Sequence, residues 1–295
     1  MLIILTSVAW RFFVPTPDFE TPTVTESVAV PEHLQRKEGF YTFLLVGSDL
    51  GGGNADTIMV VGYDTIGQRV SLLSIPRDTM VYRDWSKFPK INAALSKGLD
   101  VLENEVSTLL GIPIDFSLHV TLDGFVRLVD EIGGIEYDVP QRMYHDDEGG
   151  FIIDLHAGIQ TLDGRHTLEL VRYRGYNNAD IGRTQTQQGV LKALALKALS
   201  FDSLGKIQPF IEIFQQEVKT DLSLSDMLWF AQSTLQSENL VMETATLEGR
   251  GDASINGYSW CFELDDLATL AMVNSMVSPF VMDRTLEDLS LRNGN

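Results

Sequence analysis

Three arginines lie close together in a chain whose formal net charge is −19. Arg172 and Arg174 flank Tyr173, and Arg183 follows after a short polar loop. The guanidinium group is a planar fork of donors that matches two phosphate oxygens at once. The cluster therefore predicts an anion clamp; a solvated charged loop is the alternative.

The residues after the clamp predict a helix over 183–200, because apolar residues recur there at helical spacing. Arg183, Gln187, Val190 and Leu194 fall on one stripe, polar at the start and apolar further on. A helix N-terminus also favours anions. The stripe predicts an amphipathic ligand, with phosphate at a cavity mouth and hydrocarbon inside. Ordinary core packing, with Arg183 reaching outward to water, is the alternative.

Charged residues also lie at the ends of the first predicted strands. Asp49 comes at the end of one predicted buried strand, and Asp56 comes at the start of the next. Two carboxylates on one sheet edge suit Mg²⁺, with Mn²⁺ as the other cation considered; two turn-forming aspartates are the alternative. Arg77 follows a third strand, at an edge where α/β proteins place ligands. Its alternative is a surface pair with Asp78.

Composition narrows the class of protein. The 295 residues suffice for one large domain or two small ones, and the acidic charge argues against nucleic-acid binding. The single cysteine, Cys261, allows no intrachain disulfide and is expected to be buried. No arrangement of the histidines or of a nucleophilic serine indicates another catalytic centre.

The chain divides by composition into four parts. Residues 1–14 are apolar but short, and are interpreted as part of a membrane anchor or signal; a stray apolar terminus is the alternative. Residues 15–36 are rich in Pro, Thr and Glu and predict a spacer. Residues 37–280 predict the folded domain, and 281–295 a polar tail that frays from Asp283 onward.

Strands and helices alternate along the folded part, which predicts an α/β fold with a central sheet. Gly111 is expected to end a helix, and Glu263–Val277 is expected to be the last helix. The acidic turn at residues 145–150 predicts a solvated loop, with cation binding as the alternative.

The chain resembles the LytR-CpsA-Psr family of bacterial cell-wall glycopolymer transferases. The resemblance covers roughly residues 40–247, and its motifs occur in the family's order: FLLVGSD, ADTIMVV, VSLLSIPRDTMV, KINAAL, LLGIPIDF, DGFVRLVDEIGGI, LDGRHTLELVRYR, DIGRTQTQQGVLKAL and VKTDLSLSDM.

This resemblance implies an α/β/α sandwich around a mixed sheet, with a hydrophobic pocket for a polyprenyl chain. It implies Mg²⁺-assisted transfer of a teichoic acid or capsular polysaccharide from a polyprenyl-pyrophosphate carrier to peptidoglycan, through a phosphodiester link. The partners implied are that donor, the peptidoglycan acceptor and the membrane, with one N-terminal anchor and the domain on the extracytoplasmic side.

The family's functional positions match this sequence one at a time. Asp49 and Asp56 match the magnesium ligands. The positions that match pyrophosphate-binding residues are Arg77, Arg172, Arg174, Arg183 and Gln187, and Asp180 matches a supporting acidic position. The arginines are expected to act in catalysis, and Asp78 and Asp56 are the candidates for a general base.

One departure is Thr186, which stands where family members often carry a further arginine. The resemblance therefore implies one positive charge fewer around the phosphates. The short apolar N-terminus is a second departure.

Two other functions would use the same arginines and aspartates. One is hydrolysis of a polyprenyl pyrophosphate, and the other is non-catalytic binding of a lipid phosphate in a regulatory protein.

Overall fold

The structure is a computed structural model that describes residues 16–17, 31–49, 53–146, 150–176, 180–199, 204–237 and 239–292. The expected anchor at 1–14 lies outside these residues, as does most of the spacer. The strands, in chain order, are β1 Phe40–Ser48, β2 Ala55–Asp64, β3 Arg69–Ser74, β4 Phe116–Thr121, β5 Ile135–Val139, β6 Met143–Asp146, β7 Ile152–Leu155, β8 Gly158–Leu162, β9 Val218–Thr220, β10 Val241–Thr246, β11 Gly249–Ile255 and β12 Tyr258–Leu264.

A six-stranded sheet forms the centre, in the order β10-β3-β2-β1-β4-β9. It is mixed, because β1 pairs parallel with β4 and β3 parallel with β10, while the other neighbours are antiparallel. The two predicted buried strands are β1 and β2, the predicted third strand is β3, and the side chains of all three are largely buried. The predicted α/β fold with a mixed central sheet is confirmed.

The carboxyl ends of β1, β3, β4 and β10 lie at one edge of this sheet, and β2 begins there. Ser48 at the end of β1 pairs with Ala55 at the start of β2. Ser74 at the end of β3 pairs with Met59 of β2. The residues that follow these strand ends are therefore neighbours in space.

Helices flank the sheet: α1 Leu99–Leu110, α2 Leu122–Glu131, α3 Gly164–Arg172, α4 Asp180–Leu199, α5 Leu204–Glu217, α6 Leu224–Gln236 and α7 Asp266–Met272. Gly111 ends α1 at a φ of 64°, a conformation that glycine adopts without a Cβ clash, as predicted. Ser223 caps α6 through the backbone N–H of Asp226. No helix within the described ranges is long and apolar enough to span a membrane.

Two β-hairpins occur where the sequence did not predict strands. Strands β6 and β7 flank the acidic turn at residues 145–150, of which 147–149 lie outside the described residues. Strands β11 and β12 form the second hairpin. The helix predicted over Glu263–Val277 is wrong at its start, because Glu263 and Leu264 complete β12 and Asp265 caps α7.

The C-terminal tail is also ordered further than predicted. Arg284 and Leu289 are both 8% exposed, and the backbone N–H of Ser290 donates to the Thr108 carbonyl. The expectation of a frayed end is therefore wrong for residues 283–292, because these residues bury side chains against the domain. Cys261 is buried, as expected.

Candidate functional site

Two cavities open at the carboxyl edge of the sheet, on either side of α4. The first, called here the apolar cavity, has a volume of about 1070 Å³. The second, called the polar groove, has a volume of about 1330 Å³. Asp56, Thr57, Met59, Arg183 and Gln187 line both, so the two spaces meet at these residues. We call this meeting point the junction.

The inner wall of the apolar cavity is hydrocarbon contributed by the sheet and by three helices. It includes Leu118, Phe125, Ile132, Leu191, Leu194 and Phe214. The charged residues of the lining are Asp49, Asp56, Arg172, Arg174 and Arg183. The lining therefore combines a large hydrocarbon surface with a small set of charged groups.

Helix α4 gives the cavity its polarity. Arg183, Gln187, Val190 and Leu194 all line it, as the stripe in the sequence predicts. Because these positions follow the helical repeat, the polar first turn lies at the junction and the later turns lie against hydrocarbon. Asp180 begins α4, but its side chain lies outside the described part of the chain.

Arg172 and Arg174 both line the mouth of the apolar cavity and are exposed. Arg172 ends α3, and Tyr173 follows in an extended conformation and is buried. Both arginines and the buried Tyr173 between them line the cavity. The guanidinium carbon of Arg172 lies 4.2 Å from the centroid of the Phe151 ring, which holds it against an aromatic face.

Arg77 lies in a turn directly after β3, on the groove side of the junction. Its guanidinium pairs with the carboxylate of Asp56. The distance from its Nε to the Asp78 carboxylate is 4.0 Å, and Asp78 is closer to the ammonium of Lys90, at 3.1 Å. Arg77 is thus aimed at the start of β2, and the alternative of a simple Arg77–Asp78 surface pair does not account for its position.

A β-bulge places Asp56 in the junction. Gly47 pairs with Thr57 and Ser48 pairs with Ala55, so Asp56 is the extra residue of β2. Bulges of this kind redirect a side chain and are frequent next to active sites. The sequence placed Asp56 near Asp49 but contained no sign of the bulge or of the pair with Arg77.

Asp49 and Asp56 are the two carboxylates at this sheet edge that could hold a metal ion. Asp49 and Asp56 follow the paired residues Ser48 and Ala55, and both line the apolar cavity at its polar end. Among the described residues, no three His, Cys, Asp or Glu side chains converge on one point. Mg²⁺ usually takes only one or two carboxylates, with waters and substrate phosphates as its other ligands.

Two supporting contacts were not predicted from the sequence. Gln188 on α4 is 4% exposed, and its amide donates to the Ser74 hydroxyl (2.9 Å) and the Ala245 carbonyl (2.8 Å). It fixes α4 to the ends of β3 and β10, just before Arg77. Beneath Asp49, the buried ring of His119 bonds to the Ser48 hydroxyl at 2.8 Å. Burial lowers the pKa of His119, and nearby Lys219 adds to this shift.

Thr186 lies outside the lining of both cavities. It is 6% exposed, and its hydroxyl bonds to the Tyr176 hydroxyl (2.7 Å) and to the Gly182 carbonyl (2.9 Å). Position 186 in this chain therefore supports the start of α4. The expectation that this substitution leaves one positive charge fewer around the phosphates stays a prediction.

Comparison with known proteins agrees with this architecture. The sequence profile of the LytR_cpsA_psr family matches residues 19–277. The crystal structure of TagV from Bacillus subtilis superposes with a TM-score of 0.68 at 28% identity, covering 79% of this chain and 94% of that chain.

Two of the similar curated proteins carry the name of a transferase, and a third is uncharacterized. A TagU protein of Oceanobacillus iheyensis, named polyisoprenyl-teichoic acid–peptidoglycan teichoic acid transferase, is 28% identical over 262 residues, 85% of this chain and 79% of its own length. TagV of Bacillus subtilis bears the same name and is 32% identical over 208 residues, 67% of this chain. An uncharacterized Staphylococcus aureus protein is 31% identical over 216 residues, 72% of this chain.

The chain spans about half the length of two of these relatives, 52% of each, TagV and the Staphylococcus aureus protein. The family match, in contrast, extends over most of the present chain and includes every element of the central sheet. The chain therefore belongs to the LytR_cpsA_psr family.

Proposed function

We propose that this protein is a phosphotransferase that moves a glycopolymer from a polyprenyl-pyrophosphate carrier to peptidoglycan. The polymer would be of the teichoic acid or capsular polysaccharide type. One observation carries the proposal: a large hydrocarbon-lined cavity also has arginines and aspartates in its lining. This distribution suits a ligand with a long apolar chain and a charged diphosphate head. The names of the TagU and TagV relatives support the same reaction.

In this proposal the hydrocarbon chain lies in the apolar cavity against α4, and the diphosphate lies at the junction. Arg172, Arg174 and Arg183 reach it from the cavity side, and Arg77 reaches it from the groove side. Gln187 lies between the two cavities and can donate to a phosphate oxygen. Opposed arginines hold the phosphates in one orientation, and orientation together with charge stabilisation is most of what phosphoryl transfer requires.

The proposed reaction exchanges one bond at phosphorus. The oxygen of an acceptor sugar hydroxyl forms a bond to the phosphorus that carries the glycan. The bond from that phosphorus to the bridging oxygen breaks, and its electron pair leaves on polyprenyl phosphate. The hydroxyl proton passes to a base, for which Asp56 and Asp78 are the candidate carboxylates on the groove side.

Asp49 and Asp56 would hold Mg²⁺, or Mn²⁺ in its place, together with phosphate oxygens. The ion would neutralise charge on the phosphates. Arg77 already pairs with Asp56, so the carboxylate both orients Arg77 and remains at the edge of the cavity. Asp180 is proposed to support Arg183 from the same first turn of α4.

The proposal also places the protein at the outer face of the cell membrane. The apolar residues 1–14 would belong to its anchor and the Pro-rich residues 15–36 would space the domain from the bilayer. A carrier lipid embedded in that bilayer would then be within reach of the cavity.

Product analysis tests the proposal directly. The full chain is incubated with Mg²⁺, a polyprenyl-pyrophosphate-linked glycan and a peptidoglycan fragment, and the products are identified by mass spectrometry. The expected product is the glycan joined to the fragment through a phosphate. Release of free glycan phosphate would instead identify a hydrolase. Bound lipid without turnover would identify a lipid-phosphate binding protein.

A further inference from the structure

The polar groove extends well beyond the arginines, along the hairpin of β11 and β12. Its far part is lined by Glu248, Arg250, Trp260 and Asp265. This wall has carboxylate acceptors, a guanidinium that pairs with Glu263, and one large aromatic ring. Such a mixture suits a ligand that has many hydroxyl groups and little charge.

Trp260 is exposed to a degree that is unusual for tryptophan, with 74% of its surface accessible. Its neighbour in sequence, Cys261, is fully buried. Exposed tryptophan adds nothing to a core, while its broad apolar face and indole N–H are suited to binding. The ring therefore presents a free surface along the groove.

A second β-bulge accounts for this exposure. Ala253 pairs with Cys261 and Ile255 pairs with Tyr258, so two residues of β12, Ser259 and Trp260, oppose one residue of β11. Trp260 has a φ of 58°, a left-handed conformation that is sterically unfavourable for a residue with a Cβ. Bulged positions re-aim side chains next to sites, and the bulge at Asp56 does so in this same protein.

The hairpin is fixed to the turn that carries Arg77. The backbone N–H of Phe262 donates to the Asp78 carbonyl at 2.8 Å, and the N–H of Met80 donates to the Phe262 carbonyl at 2.9 Å. Trp260 therefore precedes by two residues Phe262, which bonds to Asp78, the residue after Arg77. The ring and the proposed phosphate-binding arginine belong to one connected unit.

Transfer chemistry indicates which substrate meets this wall. In phosphoryl transfer, the attacking and leaving oxygens lie roughly in line through phosphorus. With the leaving polyprenyl phosphate directed into the apolar cavity, the attacking hydroxyl must approach from the opposite side of the junction, which is the polar groove. The incoming acceptor, and not the lipid, is the component that the groove faces.

We propose that the polar groove binds the acceptor glycan and that Trp260 stacks against one of its pyranose rings. This inference rests on the function proposed above, because it takes the acceptor to be a sugar chain. The apolar C–H face of a pyranose covers the indole ring, while its hydroxyls meet the polar groups on either side. Trp260 would then determine acceptor affinity without contacting the reacting phosphorus.

Binding of a lipid-free peptidoglycan glycan fragment, followed through tryptophan fluorescence and by calorimetry, tests the inference in the full-length protein. Trp260→Ala should weaken this binding roughly 10-fold, the equivalent of about 1.4 kcal/mol. Trp260→Phe should recover most of the affinity, because a phenyl ring retains a stacking face. Trp85→Ala is the matched control, since Trp85 is 43% exposed and lines neither cavity.

Kinetics separate the acceptor from the donor. In the transfer assay, Trp260→Ala should raise KM for the acceptor fragment about 10-fold and leave KM for the lipid-linked donor unchanged. A rise confined to the donor KM would overturn the inference and assign Trp260 to the donor glycan. Unchanged fragment binding in Trp260→Ala would also overturn it.

Failure of the proposed function has a different signature. If the wild type binds the fragment through Trp260 but forms no phosphodiester, the glycan-binding groove stands and the transfer reaction does not. If the wild type carries out transfer while fragment affinity and acceptor KM are insensitive to Trp260, the proposed function stands and this inference is contradicted.

Discussion

The apolar cavity and the polar groove are similar in volume but opposite in character, and one helix separates them. On α4, Val190, Leu191 and Leu194 face the apolar cavity, whereas Thr184, Gln185 and Gln188 line the groove. Among the α4 side chains that the structure describes, Arg183 and Gln187 line both. The helical repeat thus assigns each position to one side, and the shared positions fall in the first turns.

This difference indicates how one chain can hold two unlike substrates. The proposed lipid would gain free energy from removal of apolar surface from water, which suits the hydrocarbon-lined cavity. The proposed sugar chain would exchange hydrogen bonds with water for hydrogen bonds with protein, which suits the polar groove. Asp56 and Arg183 lie where the two spaces meet, and the proposed phosphates would be reached from both sides there.

The largest effect should come from removing Arg77, the arginine on the groove side of the junction. Arg77→Ala should lower the transfer rate roughly 10²-fold or more, by analogy with the loss of one oxyanion-stabilising donor. Arg69→Ala is the matched control, because Arg69 begins the same strand and its pair with Glu243 is on the surface. Steady-state rates at saturating donor compare the two, and normal turnover by Arg77→Ala would exclude Arg77 from the site.

The apolar cavity can be tested separately by placing a charge in its wall. Leu194→Asp should weaken binding of polyprenyl phosphate at least ~10-fold, because a carboxylate cannot be buried against hydrocarbon without a large desolvation cost. Leu196→Asp should bind normally, since Leu196 is on the same helix but 54% exposed. Calorimetry measures the lipid affinity of both variants. Equal affinities would mean that the hydrocarbon chain of the lipid does not enter the cavity.

The hydrogen bonds of Thr186 at the start of α4 should affect the stability of the fold more than the transfer rate. Thr186→Val removes the hydroxyl that bonds to Tyr176 and Gly182, and should reduce the free energy of unfolding by about 1–2 kcal/mol. Thr161→Val on exposed β8 serves as the control. Urea denaturation gives the loss. A change in donor affinity larger than the change in stability would place position 186 in the phosphate site after all.

The buried His119, which bonds to Ser48 next to Asp49, should make the free energy of unfolding depend on pH. Because burial lowers the pKa of folded His119 below its ordinary value of 6.5, the unfolded chain binds an extra proton as pH falls through that value. The contribution of neutral His119 is therefore present above pH 6.5 and is lost as pH decreases below it. Urea denaturation at about pH 7.5 and about pH 5.5 should show a smaller pH-dependent loss in His119→Gln than in the wild type. Identical losses would contradict a neutral, buried His119.

Sequence patterns predicted the parts of the molecule that repeat or run continuously. The apolar runs of β1 and β2 and the stripe on α4 are such patterns, and each is found where it was expected. The placement of Arg77 against Asp56 depends on a bulge and a turn, which no spacing in the sequence specifies. Whether the predicted site residues act in catalysis stays a prediction.

The hairpin of β11 and β12 was missed for a different reason. Most of its residues are exposed, so its sequence contains no continuous apolar run. Two bulges also interrupt the pairing of the strands, so buried and exposed side chains do not alternate regularly. A signal was present nonetheless: Asn256 and Gly257 both have positive φ and form the turn between the strands. Asn-Gly between two short runs is the strongest local indication of a hairpin, and it would have placed Trp260 on a strand beside the site.

A structure of the protein with a polyprenyl-pyrophosphate-linked sugar tests the central claim most directly. The account predicts hydrocarbon against Leu194 and Phe125 in the apolar cavity, with the phosphates between Arg77 and Arg183. The sugar should emerge at the junction and leave the face of Trp260 accessible to an acceptor. A hydrocarbon chain lying in the polar groove, or phosphates bound away from these arginines, would contradict it.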